Sequence, residues 1–263
     1  MPALSRGLQA FVVTVALLLS AAAWASEATP AKGATADLDG ILRLNVSPNG
    51  YPPYLIVEDH NLSGIIWDVV SRIAGRLEYD VAPIQIPRKR VDELVLRGYI
   101  DATPRAIEWT KQPERFLFTD PIVNVEEVFF YPANTDFRYQ APMDLEAKTI
   151  VTHLGYQYPA LRQVFEYGMA ERFDVNNDVD MFRYLLDGDR FDAAIADRLV
   201  GQWIIRNHPK MDGLLTATDN SVSNYGFRLM VRQDLAEFVD AFNAELAQLK
   251  ASGELDRILS EYR

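Results

Sequence analysis

The sequence predicts an α/β protein of two lobes, each a sheet flanked by helices, joined by two hinge strands. Strand-like apolar runs alternate with helical patterns between residues 41 and 103, in the β-α-β-α-β order that places helices on the faces of a sheet. The same alternation begins again after Pro132 and is enclosed by the first unit in sequence. The chain must therefore pass between the lobes twice, a geometry that lets a cleft close around a small molecule.

The first unit opens with a strand at 41–46 and a loop at 47–54 that contains Pro and Gly. Apolar residues at helical spacing predict a helix at 64–77. A strand at 81–86 and a helix at 88–97 complete the pattern. Together these elements predict one sheet covered by helices, which is the first lobe.

The second unit lies between crossing strands near 125–131 and 221–227. A β-branched run at 149–152 predicts a buried strand, and a helix is predicted at 160–172. The other predicted elements are a helix at 181–186, a strand at 191–195, a helix at 198–207, strands at 214–218 and 225–231, and helices at 235–249 and 254–262.

We assign residues 38–124 and 225–263 to lobe 1 and residues 125–224 to lobe 2. The crossing strands stand at the two borders of this division, so they are the predicted hinge.

The composition is that of a soluble globular protein, with 263 residues, 49% of them hydrophobic and 24% charged. The net charge of −11 argues against a nucleic-acid partner and an anionic membrane surface. The sequence contains no Cys, which excludes disulfides, iron–sulfur clusters and thiolate zinc sites. His60, His153 and His208 have no metal-ligand spacing, so we expect neither a metal nor another cofactor.

Residues 1–25 have the pattern of an export signal. Arg6 gives a positive start, residues 11–19 are apolar, and Ala23-Trp24-Ala25 has the small residues of a cleavage site. We predict cleavage after Ala25, a flexible lead-in at 26–37 and a mature protein in the periplasm. An uncleaved membrane anchor is the alternative, although the apolar run is short for a transmembrane helix.

A polar turn after the strand that starts at Ile100 is a candidate wall of the cleft. Arg105, Glu108, Trp109 and Thr110 lie in this turn. Open α/β sheets bind ligands beyond the carboxyl ends of their strands, so charged and hydroxyl groups at this place suit a ligand site. The alternative is a surface loop whose charges are solvated.

Several short motifs occur together along the chain. They are Gly50-Tyr51-Pro52-Pro53-Tyr54, the 64–77 helix with Asp68, Gly98-Tyr99-Ile100-Asp101-Ala102, Phe118-Thr119-Asp120-Pro121, the segment 188–197 and the ending 249–259. In this order they resemble the bacterial extracellular solute-binding proteins of family 3, the type II periplasmic receptors of polar amino-acid ABC importers. The resemblance implies a monomeric receptor that closes over a small polar solute and delivers it to an ABC permease in the inner membrane.

The resemblance also assigns ligand roles on both lobes. It implies that Tyr51 covers the ligand and that Asp197 takes the ligand's α-ammonium group, a pairing that suits a carboxylate at a strand end. Tyr54 in the same loop as Tyr51 is a further candidate. The alternative for Tyr51 is packing within its loop, and the alternative for Asp197 is capping of the following helix, because Asp is a favoured N-cap.

The turn Gly155-Tyr156-Gln157 stands where relatives offer hydrogen-bond donors at the start of a helix, a natural anion site. Gln157 is therefore a candidate ligand residue. Tyr156 and the nearby His153 are further candidates.

The expected clamp for a ligand carboxylate departs from the family pattern. Thr110 is present, but Pro113 stands three residues later, where an arginine is usual. Arg105 could take over this role, because a guanidinium fork suits a carboxylate. Arg88 stands where the pocket of relatives is usually apolar or aromatic, and it is a further site candidate; the alternative for Arg88, as for His153, is that it faces solvent. The alternative for Arg105 is an ion pair with Glu108.

Two other functions are left open by the residues. The same fold hosts exported cyclohexadienyl or arogenate dehydratases, in which Glu108 and Asp197 would act as acid and base. A receptor that feeds a membrane sensor is the second alternative. Fold does not decide between them, because one fold serves many functions.

Overall fold

The computed structural model describes residues 38–58, 61–188 and 190–263. The predicted signal peptide at 1–25 and lead-in at 26–37 lie outside the described residues. Within the described ranges, no helix is both long enough and apolar enough to cross a bilayer.

Twelve strands are described. They are β1 (Ile41–Val46), β2 (Ile56–Glu58), β3 (Asn61–Ser63), β4 (Asp80–Gln85), β5 (Ala102–Arg105), β6 (Leu117–Phe118), β7 (Val123–Pro132), β8 (Thr149–His153), β9 (Glu171–Val175), β10 (Ala193–Asp197), β11 (Leu215–Ala217) and β12 (Ser223–Val231). The described α-helices are α1 (Ile65–Arg76), α2 (Arg88–Leu96), α3 (Arg162–Glu166), α4 (Asp178–Leu186), α5 (Arg198–Asn207), α6 (Ala236–Ala251) and α7 (Glu254–Tyr262).

The strand order confirms the predicted two-lobed α/β fold. The main path of the sheet runs β4-β1-β5-β12-β7-β10-β8-β9, with β6 paired to β12 and β11 paired to β7. Lobe 1 is built on β4, β1 and β5, which pair in parallel, and lobe 2 on the parallel strands β10, β8 and β9. Parallel strands place their carboxyl ends at one edge, which is where such sheets bind ligands.

The strands β7 and β12 are the two connections between the lobes. Residues Val123 to Glu127 of β7 pair with β12, whereas Glu127 to Phe130 pair with β10. In the same way, Ser223 to Phe227 of β12 pair with β7, and Arg228 to Val231 pair with β5. Each hinge strand therefore has one half in each lobe, and the exact residue bounds of the lobes stay a prediction.

Side-chain alternation in β7 covers both faces of the lobe 2 sheet. Phe130 packs with Phe182 of α4 in one apolar cluster, whereas Phe129 packs with Tyr139 in another on the opposite face. Helix α5 lies directly on Phe130, because a Cβ at Gly201 would be 2.2 Å from the Phe130 ring. Only glycine fits at this position without a shift of the Phe130 ring or of the helix.

The helix predicted at 160–172 is wrong in its second half. Helix α3 ends at Glu166, and Gly168 adopts a positive φ of 67° that stops it. Residues Glu171–Val175 then form β9, which pairs in parallel with β8. The alternation of Phe173 and Val175 carried the strand signal, but the preceding apolar residues at helical spacing masked it.

Candidate ligand-binding cleft

The first loop holds two tyrosine rings against the hinge. Tyr51 and Tyr54 stack with ring centroids 5.3 Å apart, and Phe227 of β12 meets Tyr54 edge-on at 5.2 Å. Gly50 permits the tight turn, since it has φ of 66° and a Cβ there would lie 2.7 Å from the Leu55 carbonyl oxygen. Tyr54 is fully buried and Tyr51 partly so. Burial and the nearby Asp197 carboxylate raise the pKa of both phenols.

Asp197 joins lobe 2 directly to this loop. Its Oδ1 accepts hydrogen bonds from the Tyr54 hydroxyl at 2.8 Å and from the Val200 amide at 3.0 Å, and its Oδ2 accepts one from the Glu126 amide at 2.9 Å. The residue thus caps α5 and faces lobe 1 at the same time, so both roles expected for its position are geometrically compatible. Burial raises the pKa of Asp197 to about 6, although these hydrogen bonds oppose the rise.

Arg105 is buried and has a partner that the sequence analysis did not anticipate. Its Nη2 atom donates to Asp92 Oδ1 of α2 at 2.7 Å, and the side chain is 8% exposed. Burial lowers the pKa of Arg105, while Asp92 opposes this. The alternative for Arg105, an ion pair with Glu108, is therefore wrong, because Arg105 pairs with Asp92 and Glu108 lies exposed on a 3-10 turn. The clamp role of Arg105 stays a prediction.

The two residues that follow Glu108 face different surroundings. Trp109 is partly buried, with its ring 5.7 Å from Phe227 and 6.5 Å from Tyr225. The Thr110 hydroxyl donates to the Ala106 carbonyl oxygen at 3.3 Å and lies 3.9 Å from the Met230 sulfur. The turn therefore presents the indole to the cleft aromatics, whereas the Thr110 hydroxyl is engaged within lobe 1. Ligand roles for Glu108 and Thr110 stay predictions.

Arg88 is the exposed cation of the lobe 1 wall. It is the first residue of α2, and its guanidinium carbon lies 5.8 Å from the centre of the Trp109 ring. Burial raises the pKa of Tyr156 on lobe 2, and the nearby Arg88 guanidinium opposes this rise. Among the residues that the structure describes, Arg88 makes no ion pair. Arg88 therefore lies close to Trp109 of its own lobe and Tyr156 of lobe 2, without a carboxylate partner in the described part of the chain.

The lobe 2 turn is stiffened by ring stacking. His153 and Tyr156 stack with ring centroids 4.2 Å apart, and Arg172 donates to the Tyr156 carbonyl oxygen at 3.0 Å. Gln157 is exposed. The turn leads into a 3-10 turn and the five-residue α3 rather than a long helix, so the expected helix-start anion site lacks its helix. The ligand role of Gln157 itself stays a prediction.

Two carboxylates of this region were missed from the sequence. Glu127 of β7 lies directly opposite Asp197 in the pairing of β7 with β10, and its Oε2 accepts a hydrogen bond from Ser223 Oγ at 2.5 Å. Asp178 begins α4, and burial raises its pKa while His153 opposes this. A signal for Glu127 existed, because consecutive Glu residues interrupt an otherwise apolar hinge strand.

The positions of these groups define a class of protein. Lobe 1 contributes rings and a cation, lobe 2 contributes carboxylates, and the two meet across a hinge, which is the construction of a small-molecule receptor. The model of the bacterial extracellular solute-binding proteins, family 3, matches residues 42–263. The chain belongs to this family.

Individual relatives give the same picture. The chain is 22% identical over 223 residues to a probable histidine-binding protein of Campylobacter jejuni, with 84% of each chain covered. It is 26% identical over 223 residues to the arginine-binding extracellular protein ArtP of Bacillus subtilis, covering 81% of this chain and 82% of that one. The solved structure of an ancestral cationic amino acid solute-binding protein matches with a TM-score of 0.69 at 18% identity, over 85% and 96% of the two chains. This likeness supports the type II fold.

Proposed function

We propose that this chain is an exported receptor that captures an amino acid, or a related amine or carboxylate, between its lobes and delivers it to an ABC importer. The observation that carries the proposal is the meeting of the lobes at Tyr54 and Asp197, beside the charged and aromatic groups of both walls. Membership of the family supports a receptor role, and relatives named for binding histidine and arginine support an amino-acid ligand.

The charged groups suggest how an amino acid lies in the cleft. Its ammonium group would bind the carboxylate wall at Asp197, and its carboxylate would lie against Arg88, whose charge has no partner among the described residues. Tyr51 and Trp109 would cover the apolar part of the ligand. Arg105 is the second candidate for the carboxylate, with the exposed side chains of Glu108 and Gln157 at the rim and the buried Thr110 as a further predicted contact.

Binding then stabilises the closed form. A ligand that touches both walls has a higher affinity for the form in which the walls are close, and this difference shifts the population. The ammonium and carboxylate of one small molecule reach opposite walls only when the cleft is shut. The importer would recognise that closed form.

A thermal-shift screen over amino acids, amines and small carboxylates tests the receptor function. A ligand at ~100 times its Kd raises the free energy of unfolding by roughly 2.7 kcal/mol. We expect a rise in Tm with at least one amino acid and a Kd near micromolar by calorimetry, equivalent to about 8 kcal/mol. The receptor function is refuted if every compound leaves Tm and heat unchanged.

Export is tested separately. Expression of the full chain in a bacterium, followed by mass spectrometry of the periplasmic fraction, should give a protein that begins at Ser26. Retention of residues 1–25 in the membrane fraction would instead indicate an anchor.

A dehydratase is the second candidate function, because Glu127 and Asp197 form an adjacent pair of buried carboxyl groups with raised pKa values. Such a pair suits acid and base chemistry near neutral pH. The assay is turnover of prephenate and arogenate by the purified protein. Product formation that is lost in Asp197→Asn would favour the enzyme, whereas binding of amino acids without turnover favours the receptor.

A further inference from the structure

Three hydrogen-bond donors already surround Asp197. The Tyr54 hydroxyl and the Val200 amide share Oδ1, and the Glu126 amide holds Oδ2. A carboxylate has about four lone-pair positions, so little capacity remains there for a second cationic group. A ligand with two positive charges needs another acceptor.

Glu127 is that acceptor. It faces Asp197 across the β7–β10 pair, where directly opposed residues project to the same face of the sheet. The residue is 9% exposed, and its Oε2 accepts the Ser223 hydroxyl, whereas its Oε1 accepts no hydrogen bond from any residue that the structure describes. Oε1 is not among the described atoms that are sealed from solvent without a partner, so this oxygen is open to a cationic group of a ligand.

The protein's own cations near Glu127 are engaged elsewhere. Arg198 donates to Glu126 Oε2 at 3.0 Å and to the carbonyl oxygens of Thr218 and Asp219. Phenol groups surround Glu127 instead, since its charge contributes to the raised pKa values of Tyr156, Tyr158 and Tyr225. The missing positive charge would therefore come from the ligand.

We infer that Glu127 holds the cationic side-chain group of the ligand, so that the cleft selects amino acids with a positively charged side chain over neutral isosteres. This inference rests on the proposed receptor function. The charge balance supports it, because Glu127, Asp178 and Asp197 make no ion pair with any residue that the structure describes, whereas Arg88 lies against Trp109 and Tyr156. A neutral amino acid would leave this excess of carboxylates uncompensated, and an acidic one would increase it.

Calorimetry with pairs of isosteric ligands tests the inference on the unmodified protein. L-arginine and L-citrulline differ in side-chain charge at nearly equal shape, as do L-lysine and L-2-aminoheptanoic acid. We expect the charged member of each pair to bind at least about tenfold more tightly, because a buried charge pair is strongly favoured over an unpaired carboxylate. Equal affinity within both pairs would overturn the inference while leaving the receptor function intact.

The variant Glu127→Gln tests whether Glu127 causes the preference for a charged side chain. It should abolish most of the arginine-over-citrulline preference and leave the citrulline affinity within roughly threefold of the starting value. Glu171→Gln is the matched control, since it removes the same charge from an exposed residue at the start of β9. If Glu127→Gln does not fold, Glu127→Asp keeps the charge and should retain a weaker preference. A full preference in a folded Glu127→Gln protein would overturn the assignment, whereas failure of all amino acids to bind would refute the receptor function as well.

Discussion

The two walls of the cleft differ in the chemistry that they present. The lobe 1 wall offers Tyr51, Trp109 and the exposed Arg88, whereas the lobe 2 wall offers the carboxylates of Asp197 and Glu127. Arg88 therefore stands on the lobe 1 side of the hinge and the buried acids stand on the lobe 2 side, while both sides carry aromatic rings. A molecule with both an ammonium and a carboxylate can satisfy the two walls together, so charge separation between the lobes couples recognition to closure.

Removal of the Asp197 charge should have the largest effect on ligand binding, because it takes a carboxylate from the lobe 2 wall. In Asp197→Asn the amide oxygen can still cap α5 and accept from Tyr54, since Asn is as good an N-cap as Asp. We expect ligand affinity to fall by roughly 30-fold or more, because an ammonium loses its charged partner. The Asn amide nitrogen replaces Oδ2 opposite the Glu126 N–H, so the free energy of unfolding should also fall, by about 1–3 kcal/mol, because a buried donor loses its acceptor. Calorimetry and thermal melts measure the two effects, and an unchanged affinity would remove Asp197 from the binding site.

Substitution of the two candidate arginines of lobe 1 should affect different properties: ligand affinity for Arg88 and stability for Arg105. Arg88→Ala removes an exposed side chain and should weaken ligand binding about tenfold with little loss of stability. Arg105→Ala removes a buried side chain paired with Asp92 and should lower the free energy of unfolding by about 1–3 kcal/mol.

Affinity and urea denaturation, measured on both variants, separate the two roles. The reverse pattern, with binding lost in Arg105→Ala and unaffected in Arg88→Ala, would make Arg105 the carboxylate clamp.

A pH series tests the charge state of the lobe 2 wall. An aspartate with a pKa of about 6 in the folded protein, against 3.8 ordinarily, holds its proton more tightly when folded. Its contribution to the stability of the ligand-free protein is therefore complete below 3.8 and is lost as pH rises to about 6. Glu127 acts in the same direction, because burial raises its pKa too.

Ligand binding should show the opposite trend, since the ammonium needs the ionised carboxylate. We expect affinity to decrease by up to about tenfold for each pH unit below 6. Calorimetry between pH 5 and 8 measures this, with Asp197→Asn as the control. A pH profile that is the same in both proteins would assign the dependence to another group.

Tyr54→Phe should have the smallest effect. It removes the hydroxyl that joins the lobes but keeps the buried ring and its packing on Phe227. We expect a loss of about 1–2 kcal/mol of stability, because the hydrogen bond has a charged acceptor. Urea denaturation measures this loss. Stability equal to that of the parent protein would mean that the interlobe hydrogen bond contributes nothing.

Local sequence patterns predicted the strands and helices well, but they could not predict which distant residues pair with one another. The bounds of β1 and α5 agree with the predictions from periodicity, and Asp197 was expected at a strand end. The sequence showed the two Glu residues in β7, but it did not show that Glu127 lies beside Asp197. That proximity arises from the antiparallel pairing of β7 with β10, which joins these two residues, 70 positions apart.

Arg105 illustrates the same limit at shorter range. Glu108 was close in sequence, yet the strand and the 3-10 turn direct the two side chains apart, and α2 brings Asp92 to the guanidinium instead. Sequence proximity suggested the partner, whereas the packing of a helix on the strand determined it.

Gly201 lies outside the cleft but affects the position of a residue that lines it. Its missing side chain sets the height at which α5 rests on Phe130, and the first turn of that helix is anchored by Asp197. A side chain at this position would have to displace either the Phe130 ring or the helix, and a displaced helix would move the carboxylate with it. Laboratory evolution could therefore alter affinity through substitutions at the contact between α5 and Phe130, without replacing any group that touches the solute.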